Sequence, residues 1–564
     1  MGVGDVSKRI LLGRKLRSSQ LGETLLPKRI ALPVFASDAL SSVAYAPDEV
    51  FLTLSLAGVS AYAFSWKIGI AVAVVMLTVV ASYRQNVHAY PSGGGDYEVA
   101  TVNLGQSAGV TVASALLVDY VLTVAVSVSS GVQNAASAIP WVSNHEVGVA
   151  VALVVVLAAM NLRGVRESGA FFAIPTYGFM IGVIGMALVG ALRATGGSLP
   201  DVESAKDTII PASGYPASGH LTGLALIFLL ARAFSSGSAA LTGVEAISNG
   251  VPAFRKPKSK NAATTLLLLG TIAITMLMSI IVLAHNMGLK YVDDVSRLRD
   301  EHGNPMPSGF DQPTVMAQLS KAVFHGFTPG FWFVLAMTGI ILILAANTAF
   351  NGFPVLGSIL ARDGFMPRAL GSRGDRLAYS NGILVLAFFA CVLIVAFDAQ
   401  TTRLIQLYIV GVFVSFNLSQ LGMIRHWTRH LKTESDPAAR RRMHRSRSIN
   451  TFGLGMTLTV FVIILLTKFL AGAWISIVAM CCFFALMKGI RRHYDKVNRE
   501  LAADEEDRFL PTKVHAVVLV SKLHKPTLRA LAYAKATRPN VLEAVSVASD
   551  DATTKALVKE WDER

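Results

Sequence analysis

The chain has 564 residues, 53% of them hydrophobic and only 15% charged, with a mean hydropathy of +0.52. About a quarter of an ordinary soluble domain is Asp, Glu, Lys and Arg, so this composition excludes a soluble globular protein. The formal net charge of +15 would suit nucleic acid as a partner, but the charge lies in short basic connections between apolar runs, and no nucleic-acid binding is expected.

Residues 1–28 form a basic arm containing "KRILLGRKLR". It lacks a signal peptide with a small-residue cleavage site, so the apolar run after "KRI" at 28–30 is expected to stay in the mature protein. From there to residue 490 the chain reads as a transmembrane domain, 29–490. Crossing a hydrocarbon core of about 30 Å takes roughly 20 apolar residues in a helix. About twelve runs qualify, near 30–57, 66–84, 107–138, 146–162, 168–192, 220–249, 262–285, 329–349, 379–397, 402–424, 451–468 and 472–490. Lys and Arg cluster in alternate connections, among them "RGVRE", "FRKPKSK" and "RHWTRHLKTESDPAARRRMHRSRS". The positive-inside rule then places both termini in the cytoplasm, with the basic loops facing anionic lipid.

After Ile490 the composition changes. Residues 491–564 alternate a charged helical stretch, the strand-like "VHAVVLVS", the helical "KPTLRALAYAKATRP", the strand-like "VLEAVSVAS" and a last helix. Strand–helix–strand–helix predicts a small cytoplasmic parallel α/β domain. Two strands are few for a self-sufficient sheet, so this domain reads as partial and in need of a second copy or further chain.

The first and sixth spans share a pattern: "DALSSVAYA" at 38–46 lines up with "AALTGVEAI" at 239–247. Similar segments separated by an odd number of spans insert in opposite directions. An all-α polytopic protein with a 5+5 inverted repeat is therefore expected, with spans one and six broken at the midplane and a binding site at the breaks.

An ionisable side chain within a span costs roughly 3 kcal/mol on insertion scales and is a functional candidate by default. Asp38 in span one, Asp119 in span three and Glu245 in span six qualify, with Arg232 the one internal cation in reach. Asp119, Thr123 and Ser127 recur every four residues and line one helical stripe, beside Tyr120. Thr242 and Glu245, three apart, read as one face of a helix, and Tyr45 follows Asp38 by two turns. Carboxylate, hydroxyl and carbonyl oxygens are hard ligands suited to alkali or alkaline-earth cations. Plainer roles compete: membrane hydroxyls often bond the carbonyl four residues back, Tyr45 suits an interfacial anchor, and either aspartate could be a structural acid. Asp48 and Glu49 read as solvated at the outer end of span one, and His88, His220, His285 and His325 as residues near span ends without a ligand role.

"YPSGGGDYEVATVNLG" at 90–105 has a glycine cluster but neither a preceding strand nor a following GK[ST], so it reads as a gate or re-entrant piece rather than a nucleotide cradle. Cys391, Cys481 and Cys482 lie in apolar runs, which argues against a disulfide framework. With no catalytic triad, metalloprotease motif or CxxC, enzyme activity and a bound cofactor are not expected.

The chain resembles the amino acid–polyamine–organocation superfamily and, more narrowly, the KimA-type potassium–proton symporters. The likeness rests on "FASDALSSVAYAPDE", "YPSGGGDYEVATVNLG", "LLVDYVLTVAVSVSSG", "ALTGVEAISNGVPAF", "LARDGFMPR" and "LYIVGVFVSFNLSQLGM", and covers nearly the whole chain. It implies two five-helix inverted repeats, two further helices and a tail resembling the universal stress protein domain. It also implies potassium bound by Asp38, Tyr45, Asp119, Tyr120, Thr123, Ser127, Thr242 and Tyr408, with Glu245 as the proton-coupling acid. Homodimerisation through the tails and binding of cyclic di-AMP are implied too, though a tail of two strand–helix units, shorter than the family's, weighs against both. The expected function is proton-coupled potassium import by alternating access. A proton-coupled amino acid or polyamine permease is the alternative, and a non-transporting cation sensor a third. Asp38 would repel a substrate carboxylate, so within the permease reading a cationic polyamine fits better.

Overall fold

A computed structural model of the chain describes residues 25–91, 93, 95–163, 168–216, 221–307, 310–372, 379–502, 513–548 and 550–564. Most of the arm expected at 1–28, His220 and part of the charged stretch before the tail lie outside the described residues. Contacts divide the chain into two units at Arg491 and Arg492.

In the first unit, nine helices among the described residues are long and apolar enough to cross a membrane, and two shorter apolar helices join them. One of the nine, Pro437–Glu500, is interrupted at Phe469–Ala473, where Gly472 has φ 131°, and so supplies two spans. In chain order the spans are Lys28–Ser55, Ser65–Ala89, Gln106–Ala136, Glu146–Leu162, Ser168–Thr195, the broken span Gly223–Gly237 with Glu245–Asn249, Lys258–Asn286, Thr328–Arg362, Ser380–Ala396, Thr401–Thr433, Pro437–Lys468 and Trp474–Glu500. They are numbered one to twelve below.

Span one differs from expectation: it is one uninterrupted helix despite Pro33 and Pro47 inside it. Proline removes one backbone donor and frees the carbonyl four residues earlier. For Pro33 that carbonyl belongs to Arg29, and the Tyr177 hydroxyl of span five donates to it at 2.8 Å. Span six does break. Gly223–Gly237 passes into a single 3-10 turn, Ser238–Leu241, and helix resumes only at Glu245. Gly243 in the gap has φ 81°, a left-handed conformation that glycine adopts without a Cβ penalty.

Span one is the hub. It packs against spans five, six, seven and eight, while span three packs against spans eight and ten. A Cβ on Gly411 of span ten would lie 3.1 Å from the Ala115 carbonyl of span three. That close approach of small residues is how membrane helices pack without a hydrophobic driving force between them. At the Ser55 end, the connections after spans five and seven fold over span one. They pair as Thr208–Ile209 with Leu298–Arg299, and the Arg297 guanidinium donates to the Ser55 carbonyl at 2.5 Å. A cation there satisfies an orphan carbonyl and opposes the negative end of the helix dipole.

In the second unit His515–Leu519 and Val541–Val545 form a two-stranded parallel sheet, in register from His515 against Val541 to Leu519 against Val545. Helices Lys525–Ala536 and Asp551–Glu563 follow the strands.

Candidate functional site

Asp38, Ser42 and Tyr45 lie on one stripe of span one, spaced by four and three. The Ser42 hydroxyl is 2.8 Å from the Tyr45 hydroxyl and 2.8 Å from the Thr242 hydroxyl in the gap of span six. Ser41 and Ser42 also reach the Asp38 carbonyl, at 2.8 and 3.0 Å. The two segments whose sequences align thus meet in space. Gly243 explains how closely: a Cβ there would fall 2.8 Å from an Asp38 carboxylate oxygen and 2.7 Å from the Ala39 nitrogen. Only a residue without a side chain lets the break of span six lie against Asp38.

Spans three and ten supply the opposite wall. Asp119, Tyr120, Thr123 and Ser127 all fall within the single helix Gln106–Ala136. The Thr123 hydroxyl donates to the Tyr408 hydroxyl of span ten at 3.0 Å, and Gly411, one turn along, leaves room for Asp119. Tyr120 points elsewhere, toward Gly352 of span eight, and accepts from the Asn249 amide at 3.2 Å. Ser127 is buried one turn beyond Thr123.

The site is closed to both faces: Asp38 is 5% exposed, Glu245 4%, and Tyr45, Asp119, Thr123, Thr242 and Tyr408 no more. The charges weighing most on Asp119 are Glu245 and Asp38, and the Tyr408 hydroxyl feels Asp38 and Asp119 in turn. Among the described residues, Asp38 Oδ1, Asp119 Oδ1 and Glu245 Oε2 are buried without a hydrogen-bond partner. Three carboxylates brought together in a low-dielectric interior repel one another and lack water, so they require a cation or protons among them. The donors on offer are carboxylate and hydroxyl oxygens, hard ligands matched to a hard cation.

Two expectations are corrected. Thr242 and Glu245 do not share a helical face; they stand on either side of the gap, Thr242 extended and Glu245 opening the next helix. Asp48 and Glu49 are not solvated but 9% and 3% exposed. The helix Val315–Val323 packs against span one beside Asp48, and the charge of Lys468 of span eleven reaches Glu49.

Sequence reasoning also missed residues. Ser42 joins spans one and six, although only its neighbours were singled out. Asp96, in the glycine-rich segment read as a gate, is 1% exposed; its Oδ2 accepts from Tyr83 at 2.5 Å and Ser415 at 2.7 Å, and its charge reaches Glu245. Its acidic character within "GGGDYE" was the available signal. Lys468 ended its apolar run and so read as a span edge, yet it is 2% exposed.

Comparison with known proteins adds to this geometry. Residues 34–488 match the family model described as amino acid permease, and residues 513–564 the one described as KimA potassium transporter C-terminal domain. The chain is 37% identical over 557 residues, 99% of its length and 85% of the relative's, to the potassium transporter KimA of Bacillus subtilis (strain 168). Among solved structures, the Eremococcus coleocola manganese transporter bound to an aromatic bis-isothiourea substituted compound aligns over 84% of this chain and 96% of its own. The identity is 13% and the TM-score 0.41. A variant of the same transporter gives a TM-score of 0.40.

Proposed function

The chain belongs to the KimA family of amino acid permeases, a family of transporters and not of enzymes, and from that premise we propose that it imports potassium together with protons. The observation that carries this reading is the convergence of Asp38, Asp119 and Glu245, each with a partnerless buried oxygen, on hydroxyls from spans one, six and ten. Potassium takes Asp38, Asp119 and the hydroxyls of Tyr45, Thr123, Ser127, Thr242 and Tyr408 as its oxygen shell. Tyr120 borders that shell and ties it to Asn249. Glu245, at the start of the helix beyond the break, carries the proton. With cation and proton both bound the cluster approaches neutrality, and a neutral cluster crosses the closed state at least cost.

Both termini lie in the cytoplasm of a bacterial cell, and the Ser55 end of span one faces outward. Two copies associate through their tails: the two-stranded sheet leaves Val517, Leu519 and Val545 exposed, apolar surface that a second copy covers. Lys522, His524 and Lys525, at the start of the helix Lys525–Ala536, form a candidate contact for the phosphates of cyclic di-AMP.

Uptake of labelled rubidium into proteoliposomes under an imposed inward proton gradient tests the proposal, with amino acids and polyamines tested in parallel. Saturable uptake that a protonophore abolishes supports it. Accumulation of a polyamine or amino acid without rubidium uptake overturns it in favour of an organic substrate.

A further inference from the structure

The glycine-rich segment after span two opens the helix Gly95–Leu104, which packs against spans three, six and ten. Gly95 makes that approach possible: it has φ 52°, and a Cβ there would overlap the Asn249 side chain of span six. Asp96, the next residue, is thereby carried into the seam between spans two and ten. Its Oδ2 accepts from the Tyr83 hydroxyl of span two at 2.5 Å and from the Ser415 hydroxyl of span ten at 2.7 Å. One turn along both spans the seam repeats, with the Asn86 amide donating to the Ser419 hydroxyl at 3.0 Å. Asp96 and Asn86 are each 1% exposed, and Tyr83, Ser415 and Ser419 are fully buried.

Two oxygens in this seam are left over. Asp96 Oδ1 and Asn86 Oδ1 are buried without a hydrogen-bond partner among the described residues. Asp96 Oδ1 is therefore not held by the free amides of its own helix, the ordinary partners of an acid in a first turn. No lysine or arginine among the described residues forms an ion pair with Asp96. Two hydroxyl donors on Oδ2 suit an ionised carboxylate, and an ionised acid in a low-dielectric interior needs a counter-charge. One carboxylate calls for one positive charge, and the oxygens on offer are the hard ligands of an alkali cation. The place along span ten fits as well. Ser415 lies seven residues beyond Tyr408 of the central site, two turns or about 10 Å toward the Thr433 end.

We propose that Asp96 is an inner station for the transported cation. A monovalent alkali cation released from the central site is held by Asp96 Oδ1, with Asn86 Oδ1 and the Ser419 hydroxyl beside it, before it leaves. This rests on the reading of the protein as a potassium importer, with the Thr433 end of span ten in the cytoplasm. Tyr83 and Ser415 fix the carboxylate, and Gly95 lets its helix lie against the half of span six that begins with Glu245.

The test is equilibrium binding of labelled rubidium to the purified full chain, with the melting temperature recorded for each variant. The wild-type protein binds two rubidium ions per chain. Asp96→Asn, whose amide oxygen still accepts from Tyr83 and Ser415, binds one and keeps its melting temperature. Asp119→Asn, which disables the central site, also binds one, and the double variant binds none. Asn86→Leu lowers the affinity for the second ion at least about tenfold, the worth of one polar ligand to a charge. It gives the same decision should Asp96→Asn not purify as monodisperse protein. Two ions bound by Asp96→Asn with wild-type affinity overturn the inference, as does a single wild-type ion that Asp119→Asn alone abolishes. A wild-type protein that binds no rubidium overturns the potassium reading as well, so the two failures are told apart.

Discussion

Two clusters of buried acid lie along the same helix and are treated in opposite ways. Around Asp38 the neighbouring charges are the carboxylates of Asp119 and Glu245, and each of the three has an oxygen without a hydrogen-bond partner among the described residues. Around Glu49, three turns further along, the protein supplies its own cations, Lys468 and Arg232. The first arrangement gathers like charges, and the second sets opposite charges near the acid. The surroundings of a buried carboxylate in the membrane therefore depend on which distant spans the fold brings to it.

The comparison can be broken at several points. The largest effect is expected at Asp119→Asn: the amide removes a negative ligand whose charged interactions are worth about 3 kcal/mol or more in this setting, so rubidium uptake should fall at least about a hundredfold. Insertion and gel-filtration behaviour should stay intact, and wild-type uptake by this variant would remove Asp119 from the site. Gly243→Ala comes next. Its Cβ would clash with Asp38 and the Ala39 nitrogen and also be held at positive φ, so a loss of about 1–2 kcal/mol of stability and at least tenfold in uptake is expected, read by thermal melting and rubidium flux.

Asp96→Asn sharpens the boundary of the central cluster. The donors Tyr83 and Ser415 keep an acceptor in the amide oxygen, so folding should hold, while losing the charge that reaches Glu245 alters proton coupling. The expected result is a slower maximal rate, by about tenfold or roughly 1.4 kcal/mol, together with a shifted pH profile of uptake; an unchanged profile would leave Asp96 as scaffold only. Tyr408→Phe deletes one hydroxyl that Thr123 donates to and should raise the rubidium KM by several-fold, in keeping with about 1 kcal/mol for one hydrogen bond. The smallest effect belongs to Tyr177→Phe, remote from both clusters. It strips the donor from the Arg29 carbonyl freed by Pro33 and should cost about 1 kcal/mol in stability with no change in KM.

The amino-acid sequence by itself determined the spans and the central acids. Hydrocarbon thickness dictates the length of an apolar run whatever its neighbours do, and an intramembrane carboxylate is too costly to be incidental. The alternation of the tail was legible for a similar reason, since strand and helix periods are local. Tertiary structure decided the rest. It kept span one continuous, because Tyr177 of another helix satisfies the carbonyl that Pro33 frees. It set Ser42 against Thr242 and put Gly243 on Asp38, 200 residues apart for the first pair. It buried Asp48 and Glu49 by folding Val315–Val323 and Lys468 over a helix end that looked open. Whether a charge at the end of a span meets water or a partner is set by which distant segment covers it, and nothing within the span's own residues encodes that.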